Sequence, residues 1–457
     1  MAAVRNLTHA EAVRRAELIE VESYDVTLDL TDARHAATFP SRTALRFTCN
    51  DPAATVVVDI SAQTLRSVRL NGEQVDAGAW TAQDGLVLSG LRDRNVLEVD
   101  GDFAYTTSGQ GLHRLTDPAD GEVYVYSQFC TNQAPRVYAC FDQPDLKAEF
   151  TWHVTVPDGW LAVSNTPIER IDGATVHFAR SPRMSTYHTA LCAGPYHVVR
   201  DRHGDTDLGL YCRASAAADL DADDILLITK QGLEFFGERF GRAYPLPKYD
   251  QVLLPEFNAG GMENFGCVTY AEEFMLFRSK ATDADVERRS IILLHELAHM
   301  WFGDLVTLRW WDDLWLNESF AEWASHWAAE HATRFTEAWA MFLARKQWGY
   351  DQDQLSTTHP VYASVGDVAD AELNFDGISY AKGASVIKQL VAYVGEDAFL
   401  AGLRDYLSGH AWGNAAFDDL LGALERAGGG RDLRAVSDLW LRTVDVNTLR
   451  PAGLGRR

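Results

Sequence analysis

The chain has 457 residues, 47% hydrophobic and 23% charged, with a formal net charge of −24. That length accommodates two or three domains with cores of their own, and the acidic excess argues against nucleic acid or an anionic membrane as partner. It fits a soluble enzyme with some bias toward cationic ligands, or simply a solubilising surface.

The chain opens on Thr8-His9-Ala10-Glu11, which has the form of a capping box and predicts a short helix to about residue 19. The period then becomes two. Tyr24, Val26, Leu28 and Leu30 alternate with polar residues, as do Leu45, Phe47 and Cys49, and later Phe150, Trp152, Val154 and Val156. Val56 to Ile60 reads as a short buried strand, and Asn71-Gly72 and Asp84-Gly85 punctuate the region as turns. Residues 1–203 are expected to form an all-β domain, a twisted sandwich or saddle.

From about residue 204 the pattern changes. Asp221 begins an apolar helix through Ile225, Leu233 and Phe236, Tyr249 to Leu254 reads as a strand, and Gly260-Gly261 breaks it. Helices are expected at about 286–303, 318–331, 335–348, 379–394, 396–408, 415–427 and 431–443. Val386, Ile387, Leu390, Val391 and Val394 keep a helical stripe in one of them. The expected class is α+β: the β domain, a mainly helical second domain over 204–450, and a short tail at 451–457.

Within the helical part stands His295-Glu296-Leu297-Ala298-His299, then eighteen residues, then Glu318. The apolar run Ser290 to Leu294 leads into it, so the motif is expected on a buried helix. Residues i and i+4 share one helix face, so His295 and His299 can meet one metal ion together. Two histidines and the Glu318 carboxylate form a zinc ligand set that leaves a fourth position open for water, the mark of a catalytic site. By chance, H-E-x-x-H occurs in roughly one chain in a hundred of this length. Glu296 is then placed to serve as general base. Glu322, one turn after Glu318, is either a partner of a metal-binding histidine or a surface residue.

Six cysteines (Cys49, Cys130, Cys140, Cys192, Cys212 and Cys267) form no C-x-x-C pair, which reads as reduced thiols in a cytoplasmic protein. No apolar leader follows Met1 and no run is long enough to span a membrane, so neither a signal segment nor a membrane anchor is expected.

Ala259-Gly260-Gly261-Met262-Glu263-Asn264, the run His295 to Asp304, Trp310 to Trp315 and the stretch Trp315-Leu316-Asn317-Glu318-Ser319-Phe320-Ala321 together resemble the M1 family of zinc aminopeptidases, in the gluzincin group. The likeness extends to Asn6-Leu7-Thr8, Tyr24-Asp25-Val26 and Val446 to Pro451, and its form is actinobacterial. The resemblance implies a thermolysin-like catalytic domain with one Zn²⁺ per chain. It implies that Glu263 binds the free amino group of a substrate, that Gly260 and Gly261 bind its backbone, and that Tyr380 donates to the oxyanion.

Two departures from the family pattern stand out. Ser127-Gln128-Phe129-Cys130 keeps the family's glutamine as Gln128 but has Cys130 where a second amine-binding glutamate is usual. The chain also stops where the family's large C-terminal helical domain would begin, so an open cleft, or one covered by a partner chain or second copy, is expected. The implied function is zinc-dependent removal of an N-terminal residue from a peptide. The alternatives are a dedicated hydrolase of an aminoacylated small metabolite, a non-catalytic M1-like scaffold, and epoxide hydrolysis, which rests mainly on the Gly260 to Asn264 motif.

Overall fold

The computed structural model describes residues 4–78 and 80–445; the sequence matches at Val446 to Pro451 and the expected tail lie outside them. Helix α1 (His9–Leu18) begins with the expected capping box: Glu11 N–H donates to Thr8 Oγ1 at 3.3 Å, and Thr8 N–H to Glu11 Oε2 at 3.0 Å. The chain then enters strand Ile19–Asp29, whose side chains alternate between core and solvent. This strand sits at the middle of an eight-stranded sheet, antiparallel to Thr38–Cys49 and parallel to Glu149–Thr155, with Tyr24 opposite Phe150. A four-stranded sheet, ordered Leu161–Ser164, Leu191–Gly194, Val123–Gln128 and Gly111–Thr116, carries Gln128 at a strand end. The first part of the molecule is therefore built of strands, as the period-two pattern predicts.

A five-stranded sheet joins this part to the helices. Its order is His197–His203, Thr206–Cys212, Lys248–Leu254, Cys267–Ala271 and Gly261–Met262. Thr206–Cys212 pairs in parallel with Lys248–Leu254, so the sheet runs across residue 204. Gly261–Met262 is an edge strand, paired only through Tyr270 and Thr269. An edge strand keeps unpaired backbone donors and acceptors on its outer side.

The helices follow in order: α2 (Ala222–Arg239), α3 (Glu272–Met275), α4 (Asp283–His299), α5 (Leu314–Ala332), α6 (Ala338–Asp353), α7 (Val368–Glu372), α8 (Gly383–Val394), α9 (Glu396–Gly409), α10 (Phe417–Ala427) and α11 (Leu433–Trp440). Helix α5 begins four residues before the sequence pattern places it, and α6 runs five residues further. The pattern reads 379–394 as one helix, but a π-helical turn, Ile378–Lys382, precedes α8. Among the described residues no helix is long and apolar enough to cross a membrane.

Two contacts lock the helices that carry the motif. Arg289 of α4 is buried and pairs with Asp221 at 2.6 Å and Asp224 at 2.8 Å, the N-cap and first turn of α2. A Cβ at Gly232 of α2 would lie 2.6 Å from Leu297 and 2.7 Å from Leu294, so the absent side chain lets α2 seat directly on α4.

Candidate metal centre and cleft

Helix α4 is started by a second capping box, with Asp285 N–H donating to Thr282 Oγ1 and Thr282 N–H to Asp285 Oδ2. Its last two turns are buried and present His295, Glu296 and His299. Helix α5 is buried from Leu314 to Ala329 and presents Glu318 opposite them. The resulting cluster is compact. His295 Nε2 lies 3.2 Å from His299 Nε2 and 3.3 Å from Glu318 Oε2, and His299 Nε2 lies 3.5 Å from the same oxygen. Ligand atoms at about 2.0–2.1 Å from a tetrahedral zinc stand about 3.3–3.4 Å from each other, so these three donors fit that ion.

The histidines are oriented from behind. His299 Nδ1 faces the Phe302 carbonyl at 3.1 Å, a contact that makes Nδ1 the donor and leaves Nε2 as the lone pair. The chain turns sharply there at Gly303, with φ +130°, and a Cβ on it would lie 3.1 Å from His299 Nδ1. Glu322 is buried rather than on the surface, 3.8 Å from His295 Nδ1. Its carboxylate accepts from Arg345 Nε at 3.1 Å and Nη2 at 3.4 Å. Burial raises the Glu322 pKa, but Arg345, His326 and His295 together hold it below the ordinary carboxylate range.

The same electrostatics divide the other carboxylates. Burial raises Glu318, yet the two histidines outweigh it and the group is held low. Glu296 is pushed well up by burial; His299 pulls it down, while Glu263 and Glu318 push it further up. Burial likewise raises Glu263. Glu263, Glu296 and His299 bring their polar atoms within 4.8 Å of one another. Tyr380, on the π-helical turn, stacks on His295 with ring centroids 5.9 Å apart. Burial, then Glu318 and Glu263, hold its phenol well above its usual range, so it remains a donor.

These groups line a cavity of about 940 Å³ that also takes in Gln128 and Cys130 of the β domain and the edge strand at Gly260 and Gly261. The ten residues expected to bind metal or substrate or to act in catalysis thus meet in one cleft, and Glu322 lines it with them. Residues 226–440 match the peptidase family M1 domain, and residues 20–188 match the peptidase M1 N-terminal domain.

The chain belongs to peptidase family M1.

Aminopeptidase N of Streptomyces lividans is 49% identical over 98% of this M1 chain and 53% of its own length. Aminopeptidase M1 of Arabidopsis thaliana is 38% identical over 73% of the chain and 38% of its own length. A probable aminopeptidase 2 of Sulfurisphaera tokodaii is 33% identical over 84% of the chain and 49% of its own length. The chain spans about half the length, or less, of these relatives.

Within this M1 fold, Cys130 is half-buried, and burial followed by Glu263, Glu318 and Glu372 keeps its thiol protonated. Gln128 Oε1 is buried and finds no partner among the described residues. Sequence reasoning passed over Arg345 and Glu372, both of which line the cavity. Neither sits in a recognisable motif, and Arg345 stands 23 residues from its partner Glu322.

Proposed function

We propose that this chain is a zinc-dependent aminopeptidase that hydrolyses the first amide bond of a peptide or peptide-like substrate. The observation that carries the proposal is the tetrahedral spacing of His295, His299 and Glu318, with Glu263 and Glu296 gathered at His299. One zinc ion per chain would be held by those three side chains. When bound, it supplies Lewis acidity and lowers the pKa of water at its open position. The matched relatives bear aminopeptidase names, which supports this reading above the scaffold and the epoxide hydrolase. In it, residues 1–203 supply one wall of the cleft and 204–450 the catalytic unit.

The roles of the protein groups follow from their environment. Glu263 receives the substrate ammonium, helped by the unpartnered Gln128 oxygen. Only a free amino terminus offers that charge, so the cut falls one residue in. The outer edge of Gly261–Met262 binds the substrate backbone as an added strand. Glu296, whose buried carboxyl favours holding a proton, takes one from the attacking water and passes it to the leaving nitrogen. Tyr380 donates its phenol hydrogen to the developing oxyanion. All six cysteines are free, which supports a reducing, cytoplasmic setting.

Glu296→Ala tests the proposal. It should abolish release of aniline from aminoacyl-anilides while the purified protein still contains zinc; retained hydrolysis would reject the mechanism.

A further inference from the structure

The turn that carries Tyr380 is held at both ends by one stretch of chain, the end of α6 and the residues after it. At its start, Asp376 Oδ1 accepts from the Ile378 and Ser379 N–H groups, each at 3.0 Å. At its end, Lys382 Nζ pairs at 2.9 Å with Asp353, the last residue of α6. Between them Ser319, the neighbour of Glu318, donates through Oγ to the Ser379 carbonyl. A Cβ on Gly383 would overlap that Oγ, so the turn lies directly against α5.

Asp376 has a second oxygen, and His359 holds it. His359 Nε2 lies 3.0 Å from Asp376 Oδ2, and its Nδ1 lies 2.8 Å from the Pro360 carbonyl oxygen. A carbonyl and a carboxylate only accept, so both ring nitrogens donate, which is the imidazolium form. Burial lowers the His359 pKa, but the bonds to Asp376 and Pro360 outweigh it and, against Lys382, hold it above its ordinary value. The bond to Asp376 is therefore charge-assisted, the stronger kind. His359 stands apart from the described residues that line the cleft, so its route to the substrate is through the turn.

We propose that His359 is a positioning residue for the oxyanion step: through Asp376 it fixes the turn that aims the Tyr380 phenol. Without His359, Asp376 is free to leave the two N–H groups, and the turn loses the anchor at its start. Tyr380 meets charge that develops only in the transition state, so the loss falls on kcat rather than KM.

The inference rests on the aminopeptidase reading, and its test is a double-mutant cycle with Tyr380→Phe on alanyl-p-nitroanilide. His359→Ala should lower kcat by about tenfold, less than the roughly 100-fold or more that losing an oxyanion donor costs. KM and zinc content should stay at wild-type values. In the Tyr380→Phe background the same substitution should cost less than about twofold, because the group it aims is gone. Asp376→Asn gives an independent arm: its amide oxygen can still accept from the turn, but its NH₂ group meets the two donors of His359. It should reproduce the loss in kcat and its disappearance with Tyr380→Phe, and it decides the matter if His359→Ala does not fold. Unchanged kcat, a rise in KM alone, loss of zinc, or an undiminished loss in the Tyr380→Phe background overturns the inference and leaves the aminopeptidase reading intact. A wild-type protein that hydrolyses neither alanyl- nor leucyl-anilide overturns both.

Discussion

Gly261 lies directly against Glu296. A Cβ built at residue 261 would overlap the Glu296 carboxylate and fall 2.7 Å from its Cγ, well inside contact distance. The glycine is required here by close approach rather than by an unusual backbone angle. Gly261→Ala should therefore displace the general base while leaving His295, His299 and Glu318 in place. A misplacement of about 1 Å at a reacting group can cost about 100-fold in rate. The expected outcome is a fall of that order in kcat with zinc content unchanged; wild-type kcat in the alanine variant would show that Glu296 moves aside without consequence.

Arg345 should govern zinc affinity from outside the ligand set. Its guanidinium neutralises Glu322, which faces His295 Nδ1, and it lies over the Trp348 ring at 4.3 Å and the Tyr380 ring at 5.8 Å. Removing it leaves a buried carboxylate without its main cationic partner and loosens the hold on His295. Losing such an outer partner typically weakens metal binding by about 10–100-fold. Arg345→Ala should show a loss in that range in competition with a zinc chelator, and Arg345→Lys should recover part of it. Equal zinc affinity in all three proteins would reduce Arg345 to a packing role.

The contrast between these two cases shows what the sequence could reveal. His295, Glu296 and His299 were legible because helical geometry fixes what i and i+4 share, and Glu318 because its spacing from them is characteristic. The start of α5 was not legible. The helix is buried from Leu314 to Ala329 and offers no polar face to mark its phase. What fixes the start is the 3-10 turn Trp311–Asp313, anchored where the Phe417 N–H donates to Asp313 at 3.1 Å, a contact between distant parts of the chain. Tyr380 was reached only through family likeness. Its π-helical turn is set by Asp376 accepting from Ile378 and Ser379, and by Lys382 pairing with Asp353 at 2.9 Å. Arg345 gave no signal at all, because an arginine on a half-exposed helix reads as surface.

Asp142 makes a prediction about stability rather than rate. It is buried, and burial with the neighbouring Asp59 charge raises its carboxyl to about 8, against the opposing effects of Thr186 and Arg15. An unfolded aspartate titrates near 4. The native state therefore holds this proton more tightly than the unfolded chain, and the stabilisation is complete below about pH 4 and lost as pH rises through about 8. The side-chain amide in Asp142→Asn stays neutral throughout. The Tm of wild type relative to that of the variant should fall between pH 5 and pH 9. Asp313 and Lys147 titrate alike in both proteins, so the difference isolates Asp142. Parallel Tm curves would mean that Asp142 is ionised in the folded protein across this range.

Cys130→Glu tests the substrate grip. The thiol is neutral and shares its surroundings with Glu263, so a carboxylate in its place would give the substrate ammonium a second charged acceptor. A charge-assisted hydrogen bond contributes about 1.5–3 kcal/mol, or roughly 10–150-fold in binding. Part of that is offset by repulsion among Glu263, Glu318, Glu372 and the new group before substrate arrives. KM for alanyl- and leucyl-anilides should therefore fall, by about tenfold at most. A higher KM for every substrate would show that residue 130 does not face the amine.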